Sequence, residues 1–206
     1  MQEHIDKDSI RLRIATTDDA KELLKIYAPY VMETAISFEY DVPDPYEFSM
    51  RIADTLQKYP YILAETDDEI LGYAYTNAFA GRAAYDWSVA TTIYLKKGKT
   101  KMGVGRMLYE ALERISKAQN FLNMNACIAY PKIEDEHLTL SSVQFHEHLG
   151  YRMVGTFHNS GYKFGTWYHM VWMEKIIGEH NVSPLPVIPF PELDTEEVSH
   201  LLHFST

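Results

Sequence analysis

Five basic side chains, Lys96, Lys97, Lys99, Lys101 and Arg106, fall within eleven positions of a 206-residue chain whose formal charge is −10. Gly103 and Gly105 stand among them. A strongly amphipathic segment begins at Val104, with Met107, Leu108, Ala111, Leu112, Ile115 and Ala118 on one stripe. Glycines ahead of a helix let backbone N–H groups turn towards an oxyanion, and the helix adds its positive end, worth about 0.3 to 2 kcal/mol to an anion there. That is the chemistry of a pyrophosphate cradle. The stretch is not the dinucleotide fingerprint, because Gly-x-Gly lacks its third glycine, and not a P-loop, because no Gly-Lys-Ser/Thr follows. On the motif alone, a solvated basic loop with a tight turn fits as well.

Other reactive side chains are sparse. Cys127 is the sole cysteine, which excludes an internal disulfide and a cysteine zinc cluster, and it reads as a core residue. His146 and His148 sit two apart on a predicted helix and point in different directions, so no metal site is expected. The excess of 29 acidic over 19 basic residues opposes grip on a nucleic-acid backbone. No apolar run approaches the roughly 18 residues of a membrane helix, and MQEHIDKDSI lacks the apolar core of a signal peptide. A cytoplasmic protein with no membrane partner is the expectation.

The elements that must position these residues mix both periods. Ile10, Leu12 and Ile14 alternate as a strand, and Thr17-Asp18-Asp19 offers an N-cap to a helix with Ala20, Leu23, Leu24 and Tyr27 on one face. A helix from Asp44 or Pro45 to Lys58 precedes a hairpin of Tyr61 to Thr66 with Ile70 to Tyr75. A strand over Trp87 to Leu95 leads into the basic stretch and its helix. A strand at Asn123 to Ala129, a helix at Ser141 to His148 and strands at Tyr151 to Phe157 and Trp167 to Ile176 complete the pattern. Trp87, Trp167 and Trp172 read as core. From Gly178 to Thr206 there is no Lys or Arg, and four of the nine prolines gather there. We therefore expect a domain over residues 9–177 and an acidic, proline-rich tail over 178–206. In that tail Asp194 and Glu197 would cap a short helix carrying Val198, Leu201 and Leu202. A docked arm and a disordered one both fit. The class is α/β or α+β, with a mixed, mostly antiparallel central sheet flanked by helices.

This order of elements, together with Ala84-Tyr85-Asp86-Trp87-Ser88-Val89, Thr92-Ile93-Tyr94-Leu95, His146-Glu147-His148-Leu149-Gly150-Tyr151 and Gly161-Tyr162-Lys163-Phe164-Gly165-Thr166-Trp167, resembles the GCN5-related N-acetyltransferase superfamily. Within it the chain is similar to the phosphinothricin and methionine sulfone acetyltransferase branch.

The resemblance implies splayed central strands that receive the pantetheine arm of acetyl-CoA at Ile93, Tyr94 and Leu95, as an added strand would be received. It implies pyrophosphate binding at Lys101, Met102, Gly103, Val104, Gly105 and Arg106, CoA orientation by Thr139 and Ser142, and an amino-acid acceptor held by Phe38, Arg82 and Tyr85. It also implies a homodimer. The chain departs from the family where Ala90 replaces a glutamate base, leaving Ser88, Ala90 and Thr92 on the active-site face with no base among them. His146 becomes the candidate for proton transfer, with a water relayed by Glu39 as the other possibility. Thr139 stands for the family's asparagine after an acidic insertion at 132–138, and Thr100 for its usual Gln or Arg. The implied activity is acetyl transfer to the amine of a small amino acid or analogue by direct attack. The alternative is an acyl-CoA-binding regulatory protein with weak or lost chemistry.

Overall fold

A computed structural model describes residues 9–100, 102–180 and 183–203. In chain order these form β1 (Arg11–Ile14), α1 (Ala20–Glu33), α2 (Pro45–Leu56), β2 (Tyr61–Glu65), β3 (Ile70–Ala78), β4 (Ser88–Leu95), α3 (Val104–Ala118), β5 (Asn123–Tyr130), α4 (Ser141–His148), β6 (Arg152–Lys163), β7 (Thr166–Ile176) and α5 (Thr195–Leu202). The helix starts follow local chemistry. Asp44 accepts from the amides of Tyr46 and Glu47 at 2.8 and 2.9 Å with Pro45 behind it, which starts α2. Before α1 the cap falls one residue earlier than its sequence suggests: Thr16 and Asp19 bond reciprocally around a short 3-10 turn.

The strands form one seven-stranded sheet in the order β1-β2-β3-β4-β5-β7-β6. All neighbours run antiparallel except β4 and β5, which are parallel. That exceptional pair is also the shortest relative to its strands. It is in register only at Ser88 with Asn123, Val89 with Met124 and Ala90 with Asn125, after which the two strands part.

One hydrophobic core lies on the α3 face, built from Leu108, Leu112 and Ile115 against Val89, Met124, Val171 and Met173. A second joins α1 and α2 to the opposite face through Leu23, Tyr27, Phe48 and Ile52. The acidic tail is a docked arm. Val198 and Leu202 are buried in the α3 core, and the main chain from Leu185 to Phe190 bonds Trp87, Asn120, Gln119 and Lys58. Asp194 caps α5 as expected, accepting from the amides of Glu196 and Glu197. Trp167, read as core, stands 57% exposed on β7. Among the described residues no helix is long and apolar enough to cross a membrane.

Candidate active site

Where β4 and β5 part, the sheet opens into a cleft of about 100 Å³, which joins a cavity of about 660 Å³ on the α1–α2 side. Ile36, Thr92, Tyr94, Cys127 and Ala129 line both. In the antiparallel pairing of β3 with β4, Lys96 donates to the Leu71 carbonyl, so alternation turns the backbone groups of Ile93 and Leu95 away from β3 and towards the gap. Those of Tyr94 belong to the β3 ladder, and this residue contributes its ring instead. At Leu95 both groups are already engaged by the Tyr30 hydroxyl, which donates to the carbonyl at 2.6 Å and lies 3.3 Å from the amide.

The stretch expected to form the anion cradle joins the end of β4 to α3. Gly103 is the N-cap of α3 and adopts φ +87°, a left-handed conformation that favours glycine. Gly105 has another reason to be glycine: it is helical and buried, and a Cβ there would lie 3.0 Å from the Phe145 ring of α4. Met102 and Val104 are in place beside them, while Lys101 lies outside the described residues. The basic cluster is more neutralised than its spacing suggests. Lys96 and Lys99 both pair with Glu69, Lys97 pairs with Glu33 at 2.6 Å, and Arg106 lies 3.7 Å from Glu110. The two lysines hold the Glu69 carboxyl below its usual range. The charge of the lysines is thus largely answered by carboxylates of the chain itself, and an anion here would meet chiefly backbone amides.

His146 forms part of the cleft wall. Its ring is buried, and Nδ1 lies 2.7 Å from the Ser142 carbonyl, so Nδ1 carries the proton and Nε2 faces the Tyr109 hydroxyl at 2.9 Å. Tyr109 also lies 3.2 Å from Thr91 Oγ1, whose own hydroxyl donates to the Asn125 carbonyl at the fork of the strands. Burial lowers the imidazole from its ordinary 6.5 to about 4 and raises the Tyr109 phenol. The result is a neutral hydrogen-bonded pair, a weak base at best. An unfolded chain takes up a proton at this histidine near pH 6.5, which the folded chain refuses until about pH 4. Stability present above pH 6.5 is consequently lost as pH falls to 4, by about 3 kcal/mol. Urea unfolding between pH 7 and 4 is expected to lose that share of its pH dependence in His146→Gln. An unchanged dependence would place the acid sensitivity elsewhere.

The larger cavity has aromatic walls, including Tyr27, Phe38, Phe48, Tyr61, Tyr73 and Tyr75. Burial pushes the Tyr61, Tyr73 and Tyr94 phenols well up, so they remain protonated. The charged side chains at its wall are Glu39, Arg51 and Asp54. Arg51 is shared between Glu39 at 2.7 Å and Glu47 at 2.6 Å. Thr92 faces this cavity, and alternation places Ala90 on the same side, opposite Asn77 of β3.

The expected site residues are only partly brought together. Phe38 lines the cavity and Ser142 the cleft. Arg82 and Tyr85 lie outside the enclosed volume, on an exposed 3-10 turn between β3 and β4. Tyr85 packs edge-on to Phe79, and Phe79 to Trp172, the sheet partner of Cys127. Thr139 is exposed and bonds Ser141 Oγ at 2.9 Å ahead of α4. Cys127 is not a core residue: because β4 leaves β5 before reaching it, its thiol is exposed in the gap, and desolvation by the walls raises its pKa. The acidic insertion is ordered by its own acids, with Asp135 accepting from Tyr168 and from the amides of His137 and Leu138.

Residues 12–172 match the model of the acetyltransferase (GNAT) domain family. The chain is 29% identical over 184 residues to a phosphinothricin N-acetyltransferase of Streptomyces viridochromogenes, covering 89% of this chain and 96% of that one. It is 32% identical over 170 residues to the enzyme of the same name from Streptomyces coelicolor, covering 81% and 95%. Among solved structures, a phosphinothricin acetyltransferase from Sinorhizobium meliloti in complex with AcCoA superposes with a TM-score of 0.79 at 28% identity, over 88% of this chain and 97% of that one.

Proposed function

The chain belongs to the GNAT acetyltransferase family and uses acetyl-CoA as co-substrate, and from that premise we propose that it acetylates the amine of a small amino acid or analogue, of the phosphinothricin or methionine sulfone type. One observation carries the reading: the strand gap and the aromatic cavity share Thr92, Tyr94, Cys127 and Ala129, so an acetyl group delivered through one reaches an amine held in the other.

In this reading the amine attacks the acetyl carbonyl directly, the C–N bond forms, and the C–S bond breaks to give a thiolate that needs a proton. Backbone groups at Ile93 and the second lone pair of the Leu95 carbonyl receive the pantetheine amides. The amides from 102 to 106 meet the pyrophosphate, Lys101 reinforces them at long range, and Thr139 and Ser142 flank the arm at the start of α4. Tyr109 and His146 line the cleft, and the proton that the attacking nitrogen loses is the one the thiolate takes up; the Tyr109 hydroxyl, held by His146 Nε2, passes it on by receiving one proton as it gives another. A neutral imidazole and an exposed thiol with a raised pKa do not support a covalent intermediate at Cys127.

Arg51 is already held by two carboxylates, whereas Arg82 has no ion pair among the described residues and stands with Tyr85 on the exposed turn between β3 and β4, where the family resemblance expects the acceptor's acid group. The acceptor's acid group is therefore assigned to Arg82, with Tyr85 and Phe38 as apolar walls. With a panel of amino acids and analogues, Arg82→Ala is expected to raise acceptor KM about tenfold or more while acetyl-CoA KM stays nearly fixed. Equal changes in both would point to folding instead. Acetyl-CoA binding without turnover of any acceptor would favour a regulatory acyl-CoA-binding protein.

The remaining expectations follow the same lines. A reducing, cytoplasmic setting suits a chain with one exposed thiol. A homodimer suits β6, an edge strand that exposes Met153, Val154 and Phe157, and light scattering should give twice the single-chain mass.

A further inference from the structure

The acceptor wall is held from behind by residues that do not touch the cavity. The segment from Thr34 to Tyr40, between α1 and α2, brings Phe38 and Glu39 to the cavity, and three successive positions at the end of β6 grip it. Lys163 is a buried lysine whose ammonium donates to the carbonyls of Val31 at 2.7 Å, Thr34 at 2.9 Å and Ser37 at 2.7 Å. Its three donors go to the C-terminal end of α1, where unsatisfied carbonyls and the negative end of the helix favour a cation, and to the segment that follows. The Tyr162 carbonyl accepts from the Tyr40 hydroxyl. Gly161 leaves the space that the Phe38 ring fills: a Cβ built there would lie 2.3 and 2.4 Å from ring carbons.

We propose that Gly161 and Lys163 are positioning residues for the acceptor, setting where Phe38 and Glu39 stand in the cavity although neither contacts the reacting molecules. The inference rests on the assignment of that cavity to the acceptor. The two act differently. Lys163 fixes the backbone of the wall, and its removal leaves three carbonyls without their shared donor. Gly161 fixes the ring, since any larger residue must drive Phe38 off its seat, and Phe38 lines the aromatic cavity but not the cleft between β4 and β5.

The test is steady-state kinetics of Gly161→Ala, of Phe38→Leu, of the two combined, and of Lys163→Met, with both substrates varied. Gly161→Ala is expected to raise acceptor KM about tenfold with acetyl-CoA KM within about twofold, since small misplacements of a positioning wall are costly. In the Phe38→Leu background the same glycine change should alter acceptor KM by less than about twofold, because the shorter side chain makes room for the new methyl group. Lys163→Met, assayed on protein with the parent circular dichroism spectrum, should reproduce the split between the two KM values. An unchanged acceptor KM in Gly161→Ala, parallel changes in both of its KM values, or a Gly161→Ala effect as large in the Phe38→Leu background as in the parent would each overturn the proposal while leaving the acceptor assignment intact. Failure of the unaltered chain to acetylate any acceptor overturns the assignment and this inference with it.

Discussion

Replacing Ala90 with glutamate is expected to raise kcat at pH 7 by about a hundredfold and to flatten a pH profile that, in the unaltered protein, climbs well past pH 8. An alkylammonium with a reference pKa of about 10.4 leaves well under ~1% free amine at neutral pH, and a positioned base typically contributes about 10²- to 10⁴-fold. The aromatic cavity proposed for the acceptor offers no such base on the central strand. Thr92 and Tyr94 line it, Ala90 shares their face, and the buried phenols around it stay protonated. Glu39 is the carboxylate closest in role, but it is tied to Arg51 at 2.7 Å. A glutamate at 90 would project beside Asn77, its cross-strand partner, into the space where the amine must lose its proton. Stopped-flow or steady-state rates across pH 6 to 10 decide the matter. Should Ala90→Glu leave the neutral rate unchanged while His146→Ala abolishes it without weakening CoA binding, the proton path runs through the Tyr109–His146 pair and needs no carboxylate.

The second large effect belongs to the cradle. Gly103→Val forces a β-branched residue into φ +87°, so the turn must rearrange and its amides lose their aim. Loss of two charge-assisted hydrogen bonds, each about 1.5 to 3 kcal/mol, predicts at least a hundredfold weaker CoA binding by calorimetry. Gly105→Glu should match it by a different route, bringing a carboxylate to the positive end of α3 and a side chain against Phe145. Lys99→Ala should change affinity by less than about threefold, because its charge is already answered by Glu69. CoA affinity undiminished in both glycine variants would remove the site from α3 altogether.

Much of this arrangement is legible in the chain itself. The stripe from Val104 to Ile115, the hairpin around Asp67-Asp68-Glu69 and the alternation through Ser88, Ala90 and Thr92 are local patterns, and local periodicity is what burial on one face imprints on sequence. What is not legible depends on partners far along the chain. Cys127 reads as core on its strand pattern, and only the early parting of β4 from β5 exposes it. Lys97 finds Glu33, and Lys96 and Lys99 find Glu69, through tertiary proximity that a count of charges does not register. Lys163 gives a faint signal, as a charged residue at an inward position of an aromatic strand, but its three carbonyl partners lie more than a hundred residues earlier. Arg82 shows the converse limit: a residue type suited to an acid group, on a turn whose exposed path the sequence leaves open.

The arm from Leu185 to Leu202 has a consequence for how the protein is made. Its Val198 and Leu202 are part of the main core, and Arg114 and Gln119, at the far end of the helix that begins at the cradle, bond its main chain. A chain emerging from the ribosome begins folding from its N-terminal end. Residues 195–202 are made well after α3 and are needed to cover it, so the core stays open on that side until they have emerged from the ribosome. A nascent chain stalled before Thr195 would display the unpacked face of α3 to chaperones.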